Sequence, residues 1–204
     1  MEKLNNPQQN PLALRAKKLI TEAFFDCLEE NPYKKVKISE ICRRAGVARS
    51  TFYNHYQTVE DVPYTHYLED WFVDMKEIVA ELFLTEVSFE DVSLATIEWV
   101  LRYWREHVEE YELLQTAEME SVLLKLFYQG TTIFTDKFQD QIGEFDNPAI
   151  LECYLSQGAV STLSLLKIWI NTGLTLSAAE MAEILAIFIP VDMYELLYQR
   201  FEQK

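Results

Sequence analysis

Apolar residues recur at helical intervals along most of this chain, and no stretch shows the strict alternation of a half-buried strand. The pattern predicts an all-α protein. A first helix over 12–30 opens at Asn10-Pro11, with proline at a position that lacks a helical partner anyway, and stops at Asn31-Pro32. Its stripe is Leu12, Leu19, Ala23 and Cys27, widened by Ala16, Ile20, Phe24 and Leu28. Two short helices follow, from about Ile38 to Ala45 and from Ala48 or Arg49 to about His55. Thr58-Val59-Glu60-Asp61 resembles a capping box opening a long fourth helix to Leu84, with Asp in place of the usual Glu or Gln. Further helices are predicted from the Ser88–Asp91 cap to Val108, over 109–116, from Met119 to Phe138, over 148–170 and over 178–189, with a loop at 141–146. Ser177-Ala178-Ala179-Glu180 is a capping box for the helix over 178–189, and 191–202 forms a last segment beyond Pro190.

The stretch from Lys37 to Gln57 narrows the function. Ile38, Ile41, Cys42 and Ala45 make one apolar stripe, with Arg43 and Arg44 off it. Gly46 follows directly, where glycine can take the left-handed conformation at no steric cost, and Val47 packs back toward the stripe. In the next helix Phe52 and Tyr56 are four apart and point inward. Arg49, Ser50, Thr51, Tyr53 and Asn54 are then left largely outward. Arg forks onto guanine, Ser and Thr bond base edges or phosphate, and an aromatic edge touches a thymine methyl. This is the form of a helix-turn-helix whose second helix enters the major groove. Ser39 lies near the start of the first short helix, where a hydroxyl and unpaired backbone N–H groups can hold a phosphate. Hydrophobic pattern alone does not exclude an ordinary helical corner with solvated basic residues.

Residues 12–70 resemble the N-terminal DNA-binding domain of the TetR family of one-component bacterial regulators. The residues concerned are Ile41, Ala45-Gly46-Val47 and Thr51-Phe52-Tyr53-Asn54-His55-Tyr56, together with the first helix and the link Tyr33-Lys34-Lys35-Val36. The resemblance implies that Arg49, Ser50, Thr51 and Tyr53 face bases or nearby phosphates and that His55 touches the phosphate backbone. Two departures stand out. Gln57 and Val59 occupy places where the family usually has lysines, and Lys37 sits where it often has a Thr or Ser cap. Both imply weaker or differently balanced DNA binding. The stretch from Gln157 to Gly173, with Ser177 and Glu180-Met181, resembles more weakly a Firmicutes-type C-terminal domain of the same family, which implies a four-helix dimer interface built by the last two long helices.

Composition at first opposes a DNA partner, since the net charge is −15 over 204 residues. The distribution of that charge favours one: residues 1–58 hold ten Lys and Arg against six Asp and Glu, whereas the remainder holds eight against twenty-seven. A polyanion attracts such a head and repels such a body. Three scattered cysteines, Cys27, Cys42 and Cys153, fit a reduced cytoplasm rather than a disulfide scaffold. No signal peptide is expected from the Asn-, Gln- and Pro-rich start. Charges in the longest helices argue against an apolar span of membrane length.

The helix over 148–170 is apolar almost all round and must be buried on several sides. With 178–189 it suggests a two-fold interface containing Gly158, Thr162, Leu165, Leu166, Trp169, Met181 and Leu185. Trp71, Trp99, Tyr103, Trp104, His107 and Phe127 in the middle helices suit the wall of an organic-ligand pocket, although any one of them can equally be core packing. His55, His66 and His107 lack metal-ligand spacing with Cys or carboxylates, and no glycine loop cradles phosphate. No metal, cofactor, membrane partner or enzymatic activity is therefore expected.

The sequence thus implies an all-α chain with a mobile N-terminus at 1–9, a three-helix helix-turn-helix DNA-binding domain at 10–57, and a larger helical ligand-binding and dimerisation domain at 58–204. The expected function is a cytoplasmic, homodimeric transcription regulator on a palindromic double-stranded operator, a repressor released by a small organic effector. The alternative is a regulator-like co-activator acting mainly through a protein partner.

Overall fold

The structure is a computed structural model that describes residues 11–71, 89–142 and 147–188, and the described residues form helices and turns. The elements are α1 (Pro11–Glu30), a 3-10 turn (Tyr33–Lys35), α2 (Ile38–Ala45), α3 (Arg49–Tyr53), α4 (61–71 within the described residues), α5 (Phe89–Glu106), α6 (Val108–Thr116), α7 (Glu120–Ile142), α8 (Pro148–Asn171) and α9 (Ala178–Phe188). The expected course of α4 to Leu84, the Ser88 cap, the N-terminus 1–9 and the segment 191–202 lie outside the described residues.

Most boundaries follow the pattern. α3 ends at Tyr53 rather than His55, because the His55 N–H turns to the Phe52 carbonyl three residues back and tightens the last turn. α7 runs four residues past Phe138, since nothing before Gly143 breaks it. Asn147 caps α8 by accepting from the Ala149 N–H at 3.0 Å, with Pro148 as first helical residue. The Ser177 box is complete: Glu180 Oε2 accepts from Ser177 N–H at 2.8 Å, and Ser177 Oγ accepts from Glu180 N–H at 3.2 Å. At Thr58 the box is half made, with Asp61 Oδ2 accepting from the N–H groups of Gln57 and Thr58 at 2.9 and 2.8 Å.

The chain folds as two compact units, 1–69 with 112–122, and 70–111 with 123–204. The first therefore reaches beyond the expected 10–57. It takes in the start of α4 and the corner between α6 and α7. Its interior holds Ile20, Ala23, Phe24, Cys27 and Leu28 of α1, Ile41, Cys42 and Ala45 of α2, Phe52, Tyr56, Val62 and Tyr67, and Leu114, Ala117, Met119 and Val122 of the corner. Leu12, expected on the inner stripe of α1, is exposed, and the buried face of α1 begins at Ile20. The corner ends α6 with Glu118 at φ 61°, a left-handed conformation normally left to glycine.

In the second unit α9 packs on α5 and α8. Here an expectation fails: α8 is long and apolar enough, by length and composition alone, to cross a membrane. Its two charges, Glu152 and Lys167, are far enough apart to leave an uncharged run between them. Its inner face buries Leu155, Gly158, Ala159, Leu166, Trp169 and Ile170, while only 28% of its most apolar eighteen-residue stretch is buried. Trp169 Nε1 donates to the Leu176 carbonyl at 3.2 Å and so fixes the turn into α9.

Gly46 tests the local design. It has φ 65°, and the bonds Val47 N–H to Cys42 carbonyl (3.0 Å) and Gly46 N–H to Arg43 carbonyl (3.4 Å) make a Schellman end to α2. An added Cβ would meet nothing within 4 Å, so the cost is conformational alone. Gly46→Ala should lower stability by about 1 kcal/mol, read from chemical denaturation.

Candidate nucleic-acid interface

Two helices of eight and five residues form the candidate interface, and neither is long enough to persist alone. They are held from behind. Phe52 is fully buried and Tyr56 nearly so, with ring centroids 5.5 Å apart. The Tyr56 hydroxyl lies 3.5 Å from Thr21 Oγ1 on α1, which ties the end of the reader segment to the longest helix of this unit. Burial pushes the Tyr56 phenol up to about 12, so it stays protonated and able to donate.

With Phe52 and Tyr56 inward, the other face of α3 is set. Arg49, Ser50, Tyr53 and Asn54 are exposed, Thr51 is half-buried, and the Tyr53 ring stands half exposed, edge-on to Phe52 at 5.7 Å. Ser39 is exposed on the first turn of α2, whose cap residue Lys37 makes no side-chain capping bond. His55 is half-buried, and burial, with Lys17 adding to it, holds its imidazole below the usual range while Glu69 opposes them. The shift favours the neutral imidazole. All seven expected DNA-facing residues thus lie on α2, α3 and the turn after it.

Sequence reasoning left Arg43 and Arg44 unassigned, and here the structure adds a cluster. Arg44 Nη1 donates to Glu30 Oε1 at 2.9 Å, its Nη2 donates to Glu30 Oε2, and its Nε donates to Glu40 Oε1 at 2.9 Å. Arg43 forks onto Glu40, Nε to Oε2 at 2.9 Å and Nη2 to Oε1 at 2.6 Å. Lys17 pairs with Glu69, and Lys34 with Glu118 at 2.6 Å. Much of the positive charge counted in this region is therefore answered within it. Among the described residues Arg15, Lys35, Lys37 and Arg49 have no ion-pair partner within 4.0 Å. Cys27 and Cys42 are buried, and burial raises both thiols, which fits small core residues rather than redox sensors.

In the second unit the six aromatic residues named from sequence come together. Trp71, Trp99, Tyr103, Trp104 and Phe127 are buried against one another, with ring centroids 5.4 to 6.4 Å apart. His107 stacks on Tyr103 at 4.1 Å and places Nδ1 2.8 Å from the Tyr103 carbonyl. Trp71 Nε1 is buried with no hydrogen-bond partner among the described residues. Of the residues expected at a dimer interface, Gly158, Leu166, Trp169, Met181 and Leu185 are buried within the single chain, and Thr162 and Leu165 are half-buried. The large apolar side chains left outward on these two helices are Val160, Ile168, Ile187 and Phe188.

Comparison with known proteins meets this geometry at the same residues. Residues 20–62 match the profile of bacterial regulatory proteins, tetR family. A curated relative, the HTH-type dhaKLM operon transcriptional activator DhaS of Lactococcus lactis subsp. lactis (strain IL1403), is 38% identical over 45 residues, which is 22% of this chain and 24% of that protein. The match thus spans about a quarter of the relative's length. Two solved structures are similar over longer stretches. One is a dihydroxyacetone kinase operon activator DhaS, at 18% identity and TM-score 0.45, covering 92% of this chain and 97% of that one. The other is the transcriptional regulator FadR from Bacillus subtilis in complex with stearoyl-CoA, at 15% identity and TM-score 0.48, covering 85% and 97%.

The carboxylate cluster generates a pH prediction. Hydrogen bonds from Arg43 and then Arg44 hold Glu40 down from its ordinary 4.5 to about 2, and the Arg44 fork lowers Glu30 as well. The folded pKa lies below the unfolded one, so this stabilisation is fully present above pH 4.5 and is lost as the pH falls toward 2. In thermal melts across that window the wild type should lose its advantage over Glu40→Gln. A difference independent of pH would show that the pairing contributes nothing.

Proposed function

We propose that this chain, whose residues 20–62 match the profile of bacterial regulatory proteins, tetR family, is a DNA-binding transcription regulator that acts as a two-fold homodimer on a palindromic operator, as a repressor released by a small organic effector. The observation that supports the DNA mode is the division of α3: Phe52 and Tyr56 are sealed inside, while Arg49, Ser50, Tyr53 and Asn54 stand in solvent on the opposite side. Arg49 and Tyr53 read base edges, Thr51 and Asn54 flank them, and Ser39 and His55 hold phosphates on either side. Two such heads sit about 34–36 Å apart or a multiple of it.

The dimer reading rests on Val160 and Ile168 of α8 with Ile187 and Phe188 of α9, all at least half exposed on two helices that pack together. A second copy of the same face covers them, which moves the centre of the interface from the inward residues expected from sequence to these outward ones. The effector reading rests on the aromatic cluster and the unanswered Trp71 N–H, which together suit an apolar molecule with one hydrogen-bond acceptor. Such a molecule changes DNA affinity only by binding one spacing of the two heads better than another.

A second reading has its own observation. Gln57 and Val59 stand where lysines would reach phosphate, and the Asp61 carboxylate already occupies the Gln57 and Thr58 N–H groups. A weak grip on DNA fits a co-activator that works through a protein partner. The relative that matches the head is itself named an activator. Gel shifts over a salt series on the promoter beside the gene separate the two: tight, sequence-dependent binding supports the first, and none at moderate salt the second.

Two outcomes are expected. The double variant Arg49→Ala/Tyr53→Ala should lose about 1–3 kcal/mol per base contact and blur the sequence preference at those positions, measured by competition between operator variants. Unchanged operator binding would place the reading face elsewhere. Ile168→Glu should convert a dimer to monomers in sedimentation at micromolar concentration. A wild type already monomeric there would remove the two-fold model.

A further inference from the structure

Arg44 stands two residues before the glycine turn, at the end of α2 that launches α3. Every nitrogen of its guanidinium is engaged: two donate to Glu30 on the last turn of α1, and the third donates to Glu40 one turn back on α2. Only about a fifth of its side chain is exposed, against more than two thirds for Arg43. The apolar contacts of Ile41, Cys42 and Ala45 with α1 resist separation of the two helices, but burial is non-directional and leaves sliding and rotation cheap for an eight-residue helix. A planar fork on a carboxylate is directional. It fixes the azimuth of α2 about its own axis, and through Gly46 the direction in which α3 leaves.

We propose that Arg44 is the positioning residue of the DNA reader, locking the turn end of α2 to the C-terminal end of α1, and that its charge is committed to Glu30 and Glu40 rather than to DNA. The competing view of an arginine in a DNA-binding head is a phosphate ligand. The two differ in sign. If Arg44 served phosphate, removing a neighbouring carboxylate would release it and reduce repulsion, so binding would tighten. If Arg44 positions the reader, removing that carboxylate unfastens α2, and binding weakens although negative charge has been removed.

The test uses the full chain and a duplex that the wild type has selected from a random library, with a scrambled duplex beside it. Glu30→Gln is the main variant, because it is nearly isosteric and leaves the apolar contacts intact. It should weaken binding to the selected duplex about tenfold, the scale of a broken contact network, and leave the scrambled duplex nearly unchanged. The slope of log affinity against log salt should stay that of the wild type. Arg44→Lys, which keeps the charge but not the fork, should behave like Glu30→Gln. A phosphate ligand predicts the reverse set: tighter binding by Glu30→Gln, near-normal binding by Arg44→Lys, and a slope smaller by about 0.9 per head in Arg44→Ala with both duplexes weakened alike. Any one of those three results overturns the proposal.

Discussion

The candidate nucleic-acid interface of this protein cannot hold its own shape. α2 has eight residues and α3 five, below the length at which an isolated helix persists in water. Everything the interface does therefore depends on the twenty-residue α1, whose buried face of Ile20, Ala23, Phe24, Cys27 and Leu28 gives the short helices something to lie on. Phe52 and Tyr56 complete that core from the far side, and their burial is what leaves Arg49 and Tyr53 outward. The outward face proposed to read bases is thus a consequence of packing behind it.

Charge in this unit has two separate uses. The excess of cations is confined to residues 1–58, where ten Lys and Arg face six Asp and Glu, and it is there that a polyanion would be attracted at long range. At short range several of those cations answer carboxylates: Lys17 at Glu69, Lys18 at Glu22, Lys34 at Glu118, Arg43 and Arg44 at Glu40 and Glu30. Exposed pairs of this kind contribute little singly to stability. Their effect lies in geometry, because a forked arginine restricts direction where apolar contact restricts only distance. The cations without such partners, Arg49 among them, are then the ones available to a duplex.

The second unit, among its described residues, leaves part of its apolar surface outward. Its aromatic residues bury one another, and the inner face of α8 meets α9. What is left over on α8 and α9 is a stripe of Val160, Ile168, Ile187 and Phe188. The same excess gives α8 a composition suited to a membrane, which shows that hydropathy measures how much must be covered and not by what.

Local physics made much of this legible from sequence. The helical repeat, the caps at Asn147 and Ser177, the glycine turn at Gly46 and the inward pair Phe52 and Tyr56 each depend on residues within a few positions of one another, so spacing determines them. The side of α3 that faces outward followed from the same spacing, whereas Trp71, Trp99, Tyr103, Trp104, His107 and Phe127 suit a pocket wall by their aromatic character, and only the fold brings Trp71, Trp99 and Phe127 together. Tertiary contact decided the rest. Which apolar face of α8 turns inward depends on α5 and α9, since a helix apolar all round has no preferred side in its own sequence. Glu118 takes a left-handed conformation because the corner must turn there, which no propensity of glutamate requests. Arg44 reads as a solvated cation until α1 brings Glu30 to it across fourteen residues of chain. Sequence records what each residue can do, and the long-range fold alone selects its partner.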